Sequence, residues 1–436
     1  MFTLARNQTD ARSAQLTSVI RSSFIGTTIE WYDFYTYATM ASLVIGKLFF
    51  PAMSPVAGTL AGLSTFAAGF VSRPLGGIVF GHFGDRVGRK KMLVLSLILM
   101  GASTFLMGVL PTYATIGVAA PAILVLLRLV QGLALGGEWG GASTMVIEHS
   151  PAGKRGYNGA LVQVGAVFGG VISYGVILGI DVLLPGGQFL AWGWRIPFLL
   201  SGILVIIGIV IRLRIQESPV FRSIQERKTL SRVPALEALR RQPRQVILVF
   251  FMYIADTVIA YINATFVVSH ATDTLGIDKN AILLTLMGVF FVAVLFAPRL
   301  GRLADRIGRR PVYLAGTIGM AVIAFPYLLL VDTGNIWLVA IALGLGQLVN
   351  MLMYMPLAAF FMELFPAHIR YSGASLGLQL STVVGGATAP IIATSLVAWS
   401  GGKIWGVALY LIAIGLLASV ATYLATETKD AAVDEA

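Results

Sequence analysis

Cysteine is missing from all 436 residues. That excludes disulfides, thiolate nucleophiles and thiolate metal sites. Histidine is scarce as well, with four in the chain. His82, His149 and His270 are scattered at the ends of hydrophobic stretches, so they build no metal constellation. Charged residues make up 12% of the sequence, where soluble domains run near ~25%. No G-x-x-x-x-G-K-[ST] loop occurs, which argues against an ATP-driven machine. No nucleophile–base pair is evident, so an enzyme is not expected. The first 22 residues carry Arg6, Asp10, Arg12 and Arg21 and lack an apolar core with a cleavage site. A cleaved leader is therefore not expected, and the first helix should be retained.

What the chain has instead is long apolar blocks. Hydrophobic residues make up 57%, and the blocks recur to its end. This composition predicts an all-α integral membrane protein. Forty-eight glycines suit close helix–helix approach in lipid. Twelve spans are expected near 20–43, 57–81, 92–110, 118–147, 157–182, 193–213, 245–269, 280–299, 311–331, 336–362, 372–398 and 404–425. Lys and Arg concentrate in alternate loops: the N-terminal tail, Arg86 to Lys91, Lys154 and Arg155, the 214–244 loop, Arg302 to Arg310, and Arg370. The positive-inside rule makes that side cytoplasmic and puts both termini there. The net charge of +11 is thus a topology signal, and no nucleic-acid partner is expected. The division is a tail at 1–19, a six-helix bundle at 20–213, a linker at 214–244, a second bundle at 245–425 and a tail at 426–436. The short acidic tail from Glu427 is expected to be disordered.

The halves repeat each other. Gly81-His82-Phe83-Gly84-Asp85-Arg86-Val87-Gly88-Arg89-Lys90 recurs as Gly301-Arg302-Leu303-Ala304-Asp305-Arg306-Ile307-Gly308-Arg309-Arg310, at an offset of 220. Glu148, Pro151 and Arg155 recur as Glu363, Pro366 and Arg370, at an offset of 215. Two matches at nearly one offset indicate a duplication. Parallel six-span halves imply a midplane site and alternating access by rocking. A cytoplasmic gate is expected from Asp85, Arg86, Arg89, Asp305, Arg306, Arg309, Glu148, Arg155, Glu363 and Arg370. Its acid–base contacts would form with the site open to the outside and break on inward opening. Topology and loop folding alone could also explain these residues.

With this loop pattern present twice, the chain resembles the major facilitator superfamily over roughly residues 18 to 425. Within it, the sequence is similar to the metabolite:proton symporters, which include shikimate, α-ketoglutarate, citrate and proline/betaine permeases. The similarity rests on Glu30-Trp31-Tyr32-Asp33-Phe34, Arg73-Pro74-Leu75-Gly76-Gly77, Arg128-Leu129-Val130-Gln131-Gly132 through Gly141, Trp192 to Phe198, and Glu217-Ser218-Pro219-Val220-Phe221. The resemblance implies a major facilitator fold of 12 transmembrane helices in two pseudo-symmetric halves. It also implies that spans one, four, seven and ten line the cavity.

Charges inside spans mark function by default. In Gly26 to Tyr37, Gly26, Glu30, Asp33 and Tyr37 share one helix face. Span four carries Arg128, Gln131 and Glu138 on one stripe. Arg128 offers a fork matched to a carboxylate, either of a substrate or of Asp33 or Glu138. Arg73 in span two has a structural or coupling role. Asp256 lies near mid-depth in span seven, Gln347, Asn350 and Tyr354 share a face of span ten, and Gln163 lies in span five. Gln163 could bond a substrate hydroxyl or a neighbouring helix. Asp33, Glu30 and Glu138 are the expected proton-coupling residues. Arg128, Gln131, Tyr37, Gln163, Asp256, Asn350 and Tyr354 are the expected substrate-binding residues. The expected activity is proton-coupled uptake of a small organic acid, shikimate-like or another carboxylate anion, across the bacterial inner membrane. No cofactor or metal is expected, the proton gradient is the energy source, and the working unit is expected to be a monomer in the lipid bilayer. Alternatives are uptake of a zwitterionic osmolyte such as proline or betaine, export of hydrophobic compounds, and a membrane sensor that moves nothing.

Overall fold

The structure is a computed structural model that describes residues 2–87, 89–184, 187–213, 234–366 and 369–431. It is all helix and turn among the described residues. In chain order the principal helices are α1 (Phe2–Met40), α2 (Pro55–Phe80), α3 (Arg89–Val109), α4 (Ala119–His149), α5 (Arg155–Leu183) and α6 (Gly193–Ile211). They continue with α7 (Pro243–Thr274), α8 (Lys279–Ile307), α9 (Arg309–Asp332), α10 (Ile336–Glu363), α11 (Arg370–Trp399) and α12 (Trp405–Leu424). Ten of these are long and apolar enough to cross a membrane, and α3 holds a shorter apolar stretch, Val94–Val109. Helix α1 falls outside both groups although an expected span lies in it. Its apolar run is diluted by Thr27, Thr28, Glu30 and Asp33, the polar residues that make it a functional candidate.

Local chemistry sets the helix starts. Ser54 accepts the Ala57 N–H at 3.4 Å, and Pro55 follows at the first helical position. Asp278 accepts the Ala281 N–H at 3.0 Å to open α8. Gly308 separates α8 from α9 at φ +111°, a backbone conformation that other residues rarely adopt, which explains its place in the repeated loop motif. Close packing explains Gly132. A Cβ there would fall 1.8 Å from the Gly69 carbonyl oxygen, so α4 lies directly on α2.

The most extensive contact between the halves is α5 along α8, with α10 also on α5 and α11 on α2. Rings fill the centre between the halves. Phe34, Phe66 and Phe70 of the first half stand 5.1, 5.9 and 5.3 Å from the Tyr261 ring of the second. Such offset and edge contacts add to the area they bury.

Two segments outside the expected spans are helical, and one expectation is corrected. The segment before residue 20 continues the first helix, which begins at Phe2. The 214–244 linker contains a short helix, Pro234–Arg241, and α7 already begins at Pro243. Residues 214–233, with the Glu217 to Phe221 block, lie outside the described residues. The acidic tail is docked as far as Ala431, and Thr428 is buried. Glu427 accepts the Arg309 and Arg310 backbone N–H groups at 2.9 and 3.0 Å. The first N–H groups of a helix lack intrahelical partners and carry partial positive charge, so an acidic residue is held there.

Candidate functional site

The polar residues within the helices form two clusters. The first lies inside the first half. Asp33 of α1 is 1% exposed, and its Oδ2 accepts the Thr104 hydroxyl of α3 at 2.9 Å. Ser201 of α6 flanks the same carboxylate. Gln131 of α4 donates its Nε2 to Thr104 Oγ1 at 2.8 Å, and its Oε1 accepts from Arg128 Nη1. The other arm of Arg128 donates to the Phe66 carbonyl at 3.0 Å. Its guanidinium lies 3.9 Å from the centroid of the Tyr37 ring, a cation–π distance. Tyr37 in turn bonds Thr65 at 2.7 Å. The result is one string: Asp33, Thr104, Gln131, Arg128, Tyr37. Glu138 is buried farther along α4.

Arg128 fits because α2 makes room for it. A Cβ at Gly69 would sit 2.6 Å from Nη2. Arg128 is 2% exposed and roofed by Tyr37 and Phe66, so its partners in this conformation are protein groups.

The second cluster lies where the halves meet. Asn350 of α10 donates to Asp256 Oδ1 at 2.9 Å. Gln163 of α5 reaches the Tyr354 carbonyl at 3.5 Å, across the interface. Trp31 lies edge-on to Tyr354 at 5.9 Å. Arg73 faces this region, its Cζ 4.3 Å from the Phe70 ring centroid and 5.9 Å from that of Phe34. Glu30 is half-buried near Tyr261 and Tyr354. The stripe expected through spans one, four, seven and ten is thus divided. Asp33, Arg128, Gln131 and Tyr37 gather behind the central rings. Asp256, Asn350, Tyr354 and Gln163 gather at the interface.

At the face that carries the basic loops, the repeated residues cross-pair. Arg155 of the first half meets Glu363 of the second at 3.9 Å. Arg370 of the second meets Glu148 of the first at 3.8 Å. Asp305 accepts the Gly156 and Tyr157 backbone N–H groups, each at 2.8 Å, at the start of α5. Arg309 is fully buried between Asp305 at 3.0 Å and Glu363 at 3.2 Å. The Arg306 side chain is exposed. The expected gate residues Asp85, Arg86 and Arg89 lie outside the described side chains. The tail completes this face: Thr428 donates to Glu363 at 2.7 Å, and Arg155 donates to the Ala431 carbonyl at 2.9 Å.

The opposite face is joined too. Lys279 of α8 pairs with Asp181 of α5, and Ser42 reaches the Thr265 carbonyl at 3.5 Å. A cleft of about 670 Å³ between the halves on this face is lined by residues that include Lys47, Ser54, Thr59, Ser269, His270 and Thr394. The sequence alone does not point to Thr104, Gly69 or Thr428. Thr428 carries a usable signal, since it follows an acidic residue just past the last span.

Two repeated six-helix halves, closed against each other at both faces around buried charge, define a multi-pass membrane transporter. The first half matches the sugar (and other) transporter family model over residues 19–235, and the second matches the Major Facilitator Superfamily model over residues 246–435. The chain is 39% identical to the shikimate transporter of Escherichia coli K12 over 412 residues, 94% of each protein. It is 42% identical to the inner membrane metabolite transport protein YhjE of the same organism over 416 residues, again 94% of each. It is 32% identical to the proline/betaine transporter of that strain, covering 98% of this chain and 86% of the relative. Among solved structures, the proton:xylose symporter XylE aligns with a TM-score of 0.75 at 18% identity, over 97% of this chain and 98% of that one. The chain belongs to the major facilitator superfamily.

Proposed function

We propose that the protein takes up a small organic acid with protons, by alternating access across the bacterial cytoplasmic membrane. The observation that carries this reading is the buried string from Asp33 through Thr104 and Gln131 to Arg128. It joins a carboxyl group to a guanidinium through two neutral side chains that can each exchange partners. With the site open to the outside, Asp33 takes a proton, with Glu30 and Glu138 as the further carboxyl groups of the coupling set. Loss of the Asp33 charge weakens the hold on Arg128, and the guanidinium turns to a substrate carboxylate. Gln131, Tyr37 and Gln163 then orient the substrate from the first half, and Asn350 and Tyr354 from the second. A paired charge costs less to enclose than a lone one, so the loaded protein rocks inward. The Glu363 and Glu148 pairs hold the cytoplasmic face shut until that step. The proton gradient supplies the energy, no cofactor takes part, and a monomer in the bilayer suffices.

The relation to the shikimate transporter supports a carboxylate substrate. The relation to the proline/betaine transporter supports a zwitterionic one as the second reading. Uptake into proteoliposomes under an imposed pH gradient separates them, with shikimate, other carboxylates, proline and betaine as probes. Accumulation of an acid that is lost with a protonophore, with Asp33→Asn and with Arg128→Ala is the expected result. Asp33→Asn that still accumulates the acid refutes the coupling assignment, and accumulation of betaine alone refutes the anion assignment.

A further inference from the structure

Asp256 is left over by this scheme. It lies in α7, 2% exposed. Its Oδ1 accepts one amide hydrogen bond, from Asn350 at 2.9 Å, and the same amide reaches the Asp256 carbonyl at 3.3 Å. The titratable groups around it are tyrosines: Tyr253 and Tyr261 on its own helix, Tyr313 from α9, Tyr354 from α10 and Tyr35 from α1. Tyr313 has committed its hydroxyl to the Met252 carbonyl at 3.1 Å. Arg73 and Glu30 face the same tyrosine cluster from the first half, and the Arg73 guanidinium is stacked on Phe70 at 4.3 Å.

No ion pair among the described residues includes Asp256. The contrast with the basic face is plain, because Glu363, Asp305 and Glu148 each have an arginine there. A buried carboxylate without a counter-charge is neutralised by a proton rather than left ionised. The Asn350 amide suits either form, since it carries donors for the anion and an acceptor for the acid.

We propose that Asp256 is a second proton-binding residue, placed in the half opposite Asp33, which takes a proton from water before the halves close and returns it to water when the centre reopens. Asp33 and Asp256 would then each bring one proton in with the substrate, and import of a monoanion would carry net positive charge inward. The proposal rests on proton-coupled alternating access and extends it to the second half.

The test uses the full chain in lipid nanodiscs. The absence of native cysteine lets spin labels be placed at Met53→Cys and Lys403→Cys, exposed positions on the two sides of the cleft. Their separation is followed against pH with the carboxylate that accumulates in the uptake assay held at a fixed concentration, because only the loaded protein closes. The parent is expected to close with one more proton than Asp33→Asn or Asp256→Asn takes up, and with two more than the double variant. Asn350→Leu, which removes the amide that donates to Oδ1, is expected to move closing to higher pH. It provides a second reading if Asp256→Asn folds poorly. An Asp256→Asn titration like the parent's overturns the proposal and leaves Asp256 to a cationic group of the substrate. An Asn350→Leu titration that does not move also counts against it. An unchanged Asp33→Asn titration instead overturns the coupling role of Asp33, while the Asp256 variants still report on this proposal. A parent that does not respond to pH overturns both.

Discussion

The Thr104 hydroxyl has one proton and two acceptors in reach, Asp33 Oδ2 at 2.9 Å and the Met100 carbonyl at 3.0 Å. It donates to Asp33 when that group is ionised and can fall back on its own helix otherwise. Thr104→Val strands both Asp33 and Gln131, at about 1–3 kcal/mol for each unsatisfied group. Proton-driven uptake is expected to fall roughly tenfold or more, and Thr104→Ser should recover most of it. Asp33, Arg128 and Gln131 were legible in the sequence because a polar group in an apolar helix stands out. Thr104 and Gly69 were not. A threonine can satisfy itself on its own helix, and a glycine among 48 looks like any packing glycine, even where it makes room for a guanidinium.

At the scale of the element, two π-helical turns face each other, Ala41–Ile45 ending the helix of the first span and Ile262–Phe266 within α7. They occupy nearly equivalent places in the two repeats and meet where Ser42 reaches the Thr265 carbonyl. A π turn holds more residues than an α turn, and such turns gather at functional sites. Deleting one residue from Ala41–Ile45 should rewind the helix, break this contact and stop transport, with the protein still reaching the membrane; uptake and surface labelling together check it. Nothing in Ala41-Ser42-Leu43-Val44-Ile45 announces the turn, because four of its side chains are apolar and Ser42 looks like the threonines of the helix before it. The tail misled for a different reason. Composition suggested disorder, yet one acidic residue met the open N-terminus of α9 and docked.

For the whole molecule, the six-plus-six arrangement was readable from the repeated loops and the charge of alternate connectors. The division of the polar residues into two clusters was not, because helix periodicity gives a face but not the neighbour that face meets. On the basic face, the Glu363 carboxylate ties three parts of the chain together. Arg309 of its own half, Arg155 of the other half and Thr428 of the tail all lie within 3.9 Å of it. Glu363→Gln is therefore expected to shift the equilibrium toward the open basic face, and by more than Glu427→Ala, which loosens the tail alone. Spin labels placed across that face would read both variants.

The crossed Arg155–Glu363 and Arg370–Glu148 pairs bear on ancestry. Each repeat's arginine reaches the other repeat's glutamate, which is the self-complementary contact of a two-fold homodimer. A single six-helix polypeptide could have made both contacts with a second copy of itself before the two genes fused. The linker would then have added concentration of one half near the other, not specificity. Halves expressed as separate chains should still find each other and restore uptake.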